Sequence, residues 1–136
     1  MTLEMYGQTR NCFSERIAWT PTLVWTTGTP ATITTIARYC RLGIMCFFDI
    51  NISSADSNGC TALTITLPIT PVDNEMALPC AAIQLAGAGG ADYSNPLAFI
   101  NADGTSNKIE FRAFTAATDG QNIRIQVSGC YEVESV

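Results

Sequence analysis

The sequence contains no histidine. Without an imidazole there is no Ser-His-Asp or Cys-His relay, and the commonest metal ligand is missing. Charge is scarce as well. Charged residues make up 14 % of the chain, against about a quarter in ordinary domains. The net charge is −5, and the seven Lys and Arg residues are spread along the chain from Arg10 to Arg124. Tracking a phosphate backbone needs clustered cations, so nucleic acid is not an expected partner. Arg38 and Arg41 form the one close basic pair and read as a solvated strand face. No apolar run approaches the roughly 18 residues of a membrane-spanning helix, so no membrane partner is expected.

A secretory leader is also missing. The first fifteen residues carry Glu4, Arg10 and Glu15 and have no apolar core segment. The expectation is a chain made and folded in a cytosol. The six cysteines are Cys12, Cys40, Cys46, Cys60, Cys80 and Cys130, and no CxxC pair is among them. Their spacing fits neither a zinc ribbon nor a knuckle, and reduced thiols are the default in a cytosol. No cofactor or metal is expected. "DINISS" from Asp49 lacks glycine at the sixth position of a calcium loop and has Cys60 where the twelfth should be glutamate. "AGAGG" (86–90) has no following GK[ST] and no βαβ setting, so it is no phosphate loop. "NIS" at Asn51 matches a glycosylation acceptor by letters alone. Glu132 and Glu134 share one strand face, an arrangement that is usually just solvated. No catalytic set emerges, and the chain is expected not to be an enzyme.

What is present is hydrophobic: 47 % of residues, too many for a disordered chain. The apolar residues alternate. "IMCFFDINI" puts Ile44, Cys46, Phe48, Ile50 and Ile52 on one face. "TALTITL" does the same with Leu63, Ile65 and Leu67. "KIEFRAF" does so with Ile109, Phe111 and Ala113. "NIRIQVSGCYEV" aligns Ile123, Ile125, Val127, Tyr131 and Val133. Such period-two runs mark sheets with one buried face. Turn signals separate them at Gly43, Asp56 to Gly59, Ala102 to Gly104 and Thr118 to Gln121, where glycine supplies positive φ. Pro68, Pro71, Pro79 and Pro96 mark strand ends. The pattern predicts an all-β, jelly-roll-type β-sandwich of about eight or nine strands over residues 16–136. An immunoglobulin-like sandwich is second, because the Cys…Trp…Cys spacing is absent.

Three stretches stand apart. Residues 1–15 have no period and read as either a disordered start or a docking arm with Met5, Tyr6 and Phe13 as anchors. "LAGAGGADYSNP" (85–96) reads as a mobile loop at one end of the sandwich, with Tyr93 as a candidate ligand contact. "WTPTLVWTTGTPATITT" (19–35) reads as two short strands that Pro21 and Pro30 end or redirect. Its Trp19 and Trp25 could stack on sugars, but burial in the core or at a subunit contact is favoured, since each ring can cover on the order of 200 Å². Phe47, Phe114 and Met45 fall opposite the main apolar stripe. An aromatic surface of that kind is an association hazard in a monomer, and a symmetry mate would cover it.

The segments Trp19–Leu23 (W-T-P-T-L), Ala37–Gly43 (ARYCRLG), IMCFFDINI, TITLP and the closing SGCYEV together resemble small β domains of tailed-bacteriophage virion proteins. In those, a Trp-x-Pro segment leads to a Tyr-x-x-x-Gly turn, a long strand and a strand ending in Leu-Pro. The resemblance spans roughly residues 16–133. It implies a sandwich that trimerises about a three-fold axis on the outside of a particle. Its motifs are scaffold, so no catalytic or sugar-binding residue carries over. The chain starts with Met and shows no fibre shaft, and this favours a stand-alone protein on the capsid. The expected function is a homotrimeric capsid decoration or head-fibre protein at the virion surface. Its partners would be itself and a major capsid or other virion protein, and Trp19, Trp25, Phe47 and Phe114 would be the candidate trimer contacts. The alternative is a tail-fibre tip that recognises a host surface glycan.

Overall fold

A computed structural model describes residues 16–72, 76–77, 80–87, 90–94, 97–102, 107–112 and 120–135, with side chains for 16–72, 98–101, 107–111 and 120–135. Every regular element among them is a β-strand. In chain order these are β1 (Ile17–Ala18), β2 (Leu23–Thr26), β3 (Thr34–Leu42), β4 (Met45–Ser54), β5 (Ala62–Thr66), β6 (Met76–Ala77), β7 (Cys80–Gly87), β8 (Gly90–Ser94), β9 (Leu97–Ala102), β10 (Asn107–Arg112) and β11 (Asn122–Glu132). Nine of these have four or more residues, while β1 and β6 have two each.

The strands form two antiparallel sheets. One runs β1-β3-β4-β11-β7-β8 and the other β2-β5-β10-β9-β6. The chain passes between the sheets six times, among them from β4 to β5 and from β10 to β11. Because β4 pairs with β11 and β5 with β10, these two crossings stack the sheets face to face. The same alignment puts β1, β3 and β2 together along one flank, and β8 and β6 along the other.

The alternating pattern sets which side faces inward. Along β4, Cys46, Phe48, Ile50 and Ile52 are buried while their neighbours are half-exposed. Register matches them with Tyr131, Gly129, Val127 and Ile125 of β11. Leu63 and Ile65 of β5, Ile100 of β9 and Ile109 and Phe111 of β10 close the core from the other sheet. For β4, β5, β10 and β11 the inward set among the described residues matches the sequence pattern with one exception. Ile44 sits with Gly43 in the β3–β4 turn and is 46 % exposed. Gly43 has φ +60°, so the turn, not the strand, takes this position.

Two expectations need correction. Of residues 85–96, those described, 85–87 and 90–94, are strand and not loop. β7 and β8 form a hairpin with Leu85 opposite Asp92 and Gly87 opposite Gly90. Glycine and alanine weaken a strand locally, but pairing along β11 on the far side of β7 supplies the ladder that local propensity lacks. The Thr-rich run forms one short strand, β2, and the start of β3; Ala31 between them makes an isolated bridge to Asp56. Pro21 and Pro30 flank β2 and are both buried. Residues 1–15, with Met5, Tyr6 and Phe13, lie outside the described residues, as do Ala113 and Phe114.

Candidate functional site

Three regions could carry function: a knotted end, an apolar flank and a polar sheet face. At the knotted end, three non-glycine residues have positive φ: Thr27 (72°), Thr32 (52°) and Asn58 (46°). A β-branched residue in that region is under strain and must be held from outside. Loops 27–33, 55–61 and 120–121 hold one another here. Ala31 N donates to Asp56 O at 2.8 Å, and Ser57 N to Gln121 O at 2.8 Å. One carboxylate oxygen of Asp56 accepts both Asn58 N and Gly120 N at 3.0 Å. The Ser54 hydroxyl, almost fully buried, lies 2.5 Å from Ala31 O and 2.7 Å from Asp56 O. Gly28 approaches so closely that a Cβ there would sit 1.8 Å from Asn58 O. These bonds tie the three loops to one another, so this end is a brace.

Along the flank formed by β1, β2 and β3, large apolar side chains meet solvent. Ile17 is 53 % exposed, Val24 56 %, Ile33 36 % and Ile36 53 %. Trp19 and Trp25 lie just behind them, partly buried against the core with Leu23 and Tyr39. Trp19 meets Tyr39 edge to face, with centroids 5.9 Å apart and an interplanar angle of 83°. Both indole N–H groups are buried without a hydrogen-bond partner. The tryptophans therefore plug the gap between the sheets and are not an open sugar platform.

The outward face of the six-stranded sheet can be read off its register. One row is Arg38, Asp49 and Ser128 across β3, β4 and β11; the next is Cys40, Phe47 and Cys130. On the other side of the first row lie Ile36, Asn51 and Gln126. Between the first two rows is an open depression of about 360 Å³. Phe47 and Cys40 form one wall, and Asp49, Ser128 and Arg16 form the other. The floor is at Phe48 and Gly129. The Phe48 side chain points into the core and Gly129 has none, so the sheet backbone itself is exposed there. Arg16 Nη1 sits 2.5 Å from Asp49 Oδ1, joining the segment before β1 to the middle of β4. Both side chains are substantially exposed, so the pair adds little to stability.

No known protein family, curated protein or solved structure matches the chain.

The structure brings one of the aromatic candidates into this depression, Phe47. Trp19 and Trp25 lie on the flank, and Phe114 is outside the described residues. Tyr93 is on β8, opposite Gln84 and two strands from β11, well away from the depression. Sequence reasoning missed Arg16, Ser128 and Gly129. Gly129 carried a usable signal, since a glycine inside a strand often marks a close approach. Arg16 carried none, because its partner is 33 residues away.

Among the described residues, four cysteines can be assessed. Cys40, Cys46, Cys60 and Cys130 form no disulfide. Burial pushes the Cys46 and Cys60 thiols up, the opposite of what an activated nucleophile needs. Burial likewise drives the Tyr131 phenol upward, reinforced by its hydrogen bond with Cys46. Among the described residues, no group of three or more Cys, Asp or Glu is placed to hold a metal ion.

Proposed function

We propose that this chain is a non-enzymatic structural protein of a bacteriophage virion, a homotrimeric capsid decoration or head-fibre protein on the outer particle surface, built on a jelly-roll-type sandwich. The jelly-roll reading is supported by the nested pairs β4·β11 and β5·β10, which wind the chain between the two sheets. The virion reading is supported by the resemblance of the segments around Trp19, Ala37 and Ser128.

One observation carries the assembly: of the large apolar side chains that are exposed among the described residues, Ile17, Val24, Ile33 and Ile36 gather along one flank, with Ile44 and Val72 apart from them. A protein this poor in charge has little to keep such a flank solvated. Burying it against copies of itself gives roughly 25 cal/mol per Å². The second partner in this reading is a major capsid protein or another virion protein.

Size-exclusion chromatography with light scattering tests the trimer. Three times the chain mass at micromolar concentration is expected, and a stable monomer there overturns it. Imaging of the particle that carries this chain tests the placement, with density on the outer shell expected.

A further inference from the structure

We propose that Asn58 is a site of spontaneous covalent modification that the native brace holds shut: its side-chain amide cyclises onto the backbone nitrogen of Gly59 only in chains whose 27–33 and 55–61 loops have parted. The proposal does not depend on the virion reading, since it concerns the brace alone.

The chemistry needs an asparagine followed by a residue whose backbone nitrogen is unshielded by a side chain. Of the eight asparagines, Asn58 alone precedes glycine, and it is exposed to solvent. Gly59 N attacks Asn58 Cγ and gives up its proton. A C–N bond forms, the Cγ–Nδ2 bond breaks, and ammonia leaves carrying that proton, which closes a succinimide ring. Water then adds to either ring carbonyl and breaks its bond to nitrogen. Opening at Cγ leaves aspartate. Opening at the backbone carbonyl of Asn58 leaves isoaspartate, with the main chain routed through Cβ.

The brace keeps the reacting atoms apart. Asn58 and Gly59 both have positive φ, 46° and 66°, and Cys60 N donates to Ser57 O at 3.1 Å. That is a type I′ turn, with ψ at the asparagine of about +30°. At that ψ, Gly59 N points away from Asn58 Cβ and cannot reach Cγ. The type II′ turn, with ψ of about −120°, brings them together, so the peptide between Asn58 and Gly59 must flip first. Three contacts oppose the flip. Asn58 O packs against Gly28, so closely that a Cβ there would lie 1.8 Å from it. Gly59 N donates to Ser57 Oγ at 3.3 Å. Asn58 Nδ2 donates to Thr29 O at 2.8 Å and fixes the side chain. Both products lose the Nδ2 donor and add a negative charge. The bond to Thr29 O therefore cannot re-form, and a modified chain cannot close the brace as before.

The test follows residue 58 by peptide mapping and mass spectrometry while the full chain is incubated at mildly alkaline pH. One sample is kept under native conditions and one in guanidinium beyond its unfolding transition. Conversion to aspartate and isoaspartate should be about tenfold or more faster in guanidinium, because the folded chain reacts only during local opening. Gly28→Ala presses on Asn58 O and should raise the native rate by about tenfold or more while circular dichroism still reports a folded chain. If Gly28→Ala does not fold, Asp56→Ala takes its place with the same expectation, since it removes the acceptor of Asn58 N and Gly120 N. Three results overturn the proposal: Asn58 intact in guanidinium, equal rates in the folded and unfolded chain, or a native rate unmoved in the variant that folds.

Discussion

Tyr131 carries its phenol into the middle of the sandwich, where the ring is fully buried against Phe48. Its hydroxyl donates to Ile69 O at 2.8 Å and accepts from Ile69 N at 3.3 Å, with the Cys46 thiol as a third partner. The segment after β5 is thereby tied to the core. Tyr131→Phe keeps the ring and strands the Ile69 groups, which should cost about 1–3 kcal/mol in urea denaturation. The phenol is held above its ordinary 10.0, so the native state keeps a proton that the unfolded chain releases. This contribution is whole below pH 10 and declines as pH rises past it, at up to about 1.4 kcal/mol per pH unit. Cys46 and Cys60, raised above 9.0, act with the same sign from a lower starting point. Denaturation midpoints followed from neutral to alkaline pH should fall above pH 9. In Tyr131→Phe the fall beyond pH 10 should be shallower.

At the scale of the elements, two glycines next to strands separate two kinds of constraint. Gly43 turns β3 into β4 at φ +60°, and a methyl group added there would meet nothing within 4 Å. Gly43→Ala should therefore cost only the left-handed strain, about 1 kcal/mol. Gly28 follows β2 and would drive a methyl into Asn58 O, which is backbone in the most heavily braced part of the fold. Gly28→Ala should cost about 3 kcal/mol or more, and thermal melts of the two variants side by side check the order. The inward faces of β4, β5, β10 and β11 were legible because period-two burial is local information. β1 was not legible, since two residues hold no period; it exists because Ile17 and Ala18 meet Tyr39 and Arg38. The β7–β8 hairpin was misread for a related reason. Its glycines and alanines signal a turn when read alone, and the strand that stabilises them, β11, lies some forty residues downstream. The depression was half visible: alternation placed Phe47 outward, but the Arg16–Asp49 contact depends on how β1 closes on β3.

For the whole molecule, the question is what covers the flank of β1, β2 and β3. Val24 and Ile36 leave the sandwich on opposite outer faces of that flank, one from each sheet. A neighbour that buries both must therefore wrap the edge and cannot simply lie flat on one face. In the proposed trimer, three copies packed edge to edge around an axis would do so, and each copy would also shield the short outer strands from stray pairing. Full burial of a Val or Ile side chain contributes about 1.5–3 kcal/mol, and a glutamate in its place adds the cost of desolvating a charge. The double substitution Val24→Glu with Ile36→Glu alters only exposed positions, so the fold should persist with its circular dichroism and cooperative melt unchanged. The proposed assembly should weaken by roughly two orders of magnitude or more, and light scattering should report the mass of a single chain at concentrations where the parent is expected to be a trimer. A trimer that survives both substitutions would place the subunit contact elsewhere and leave the exposed flank for the second proposed partner.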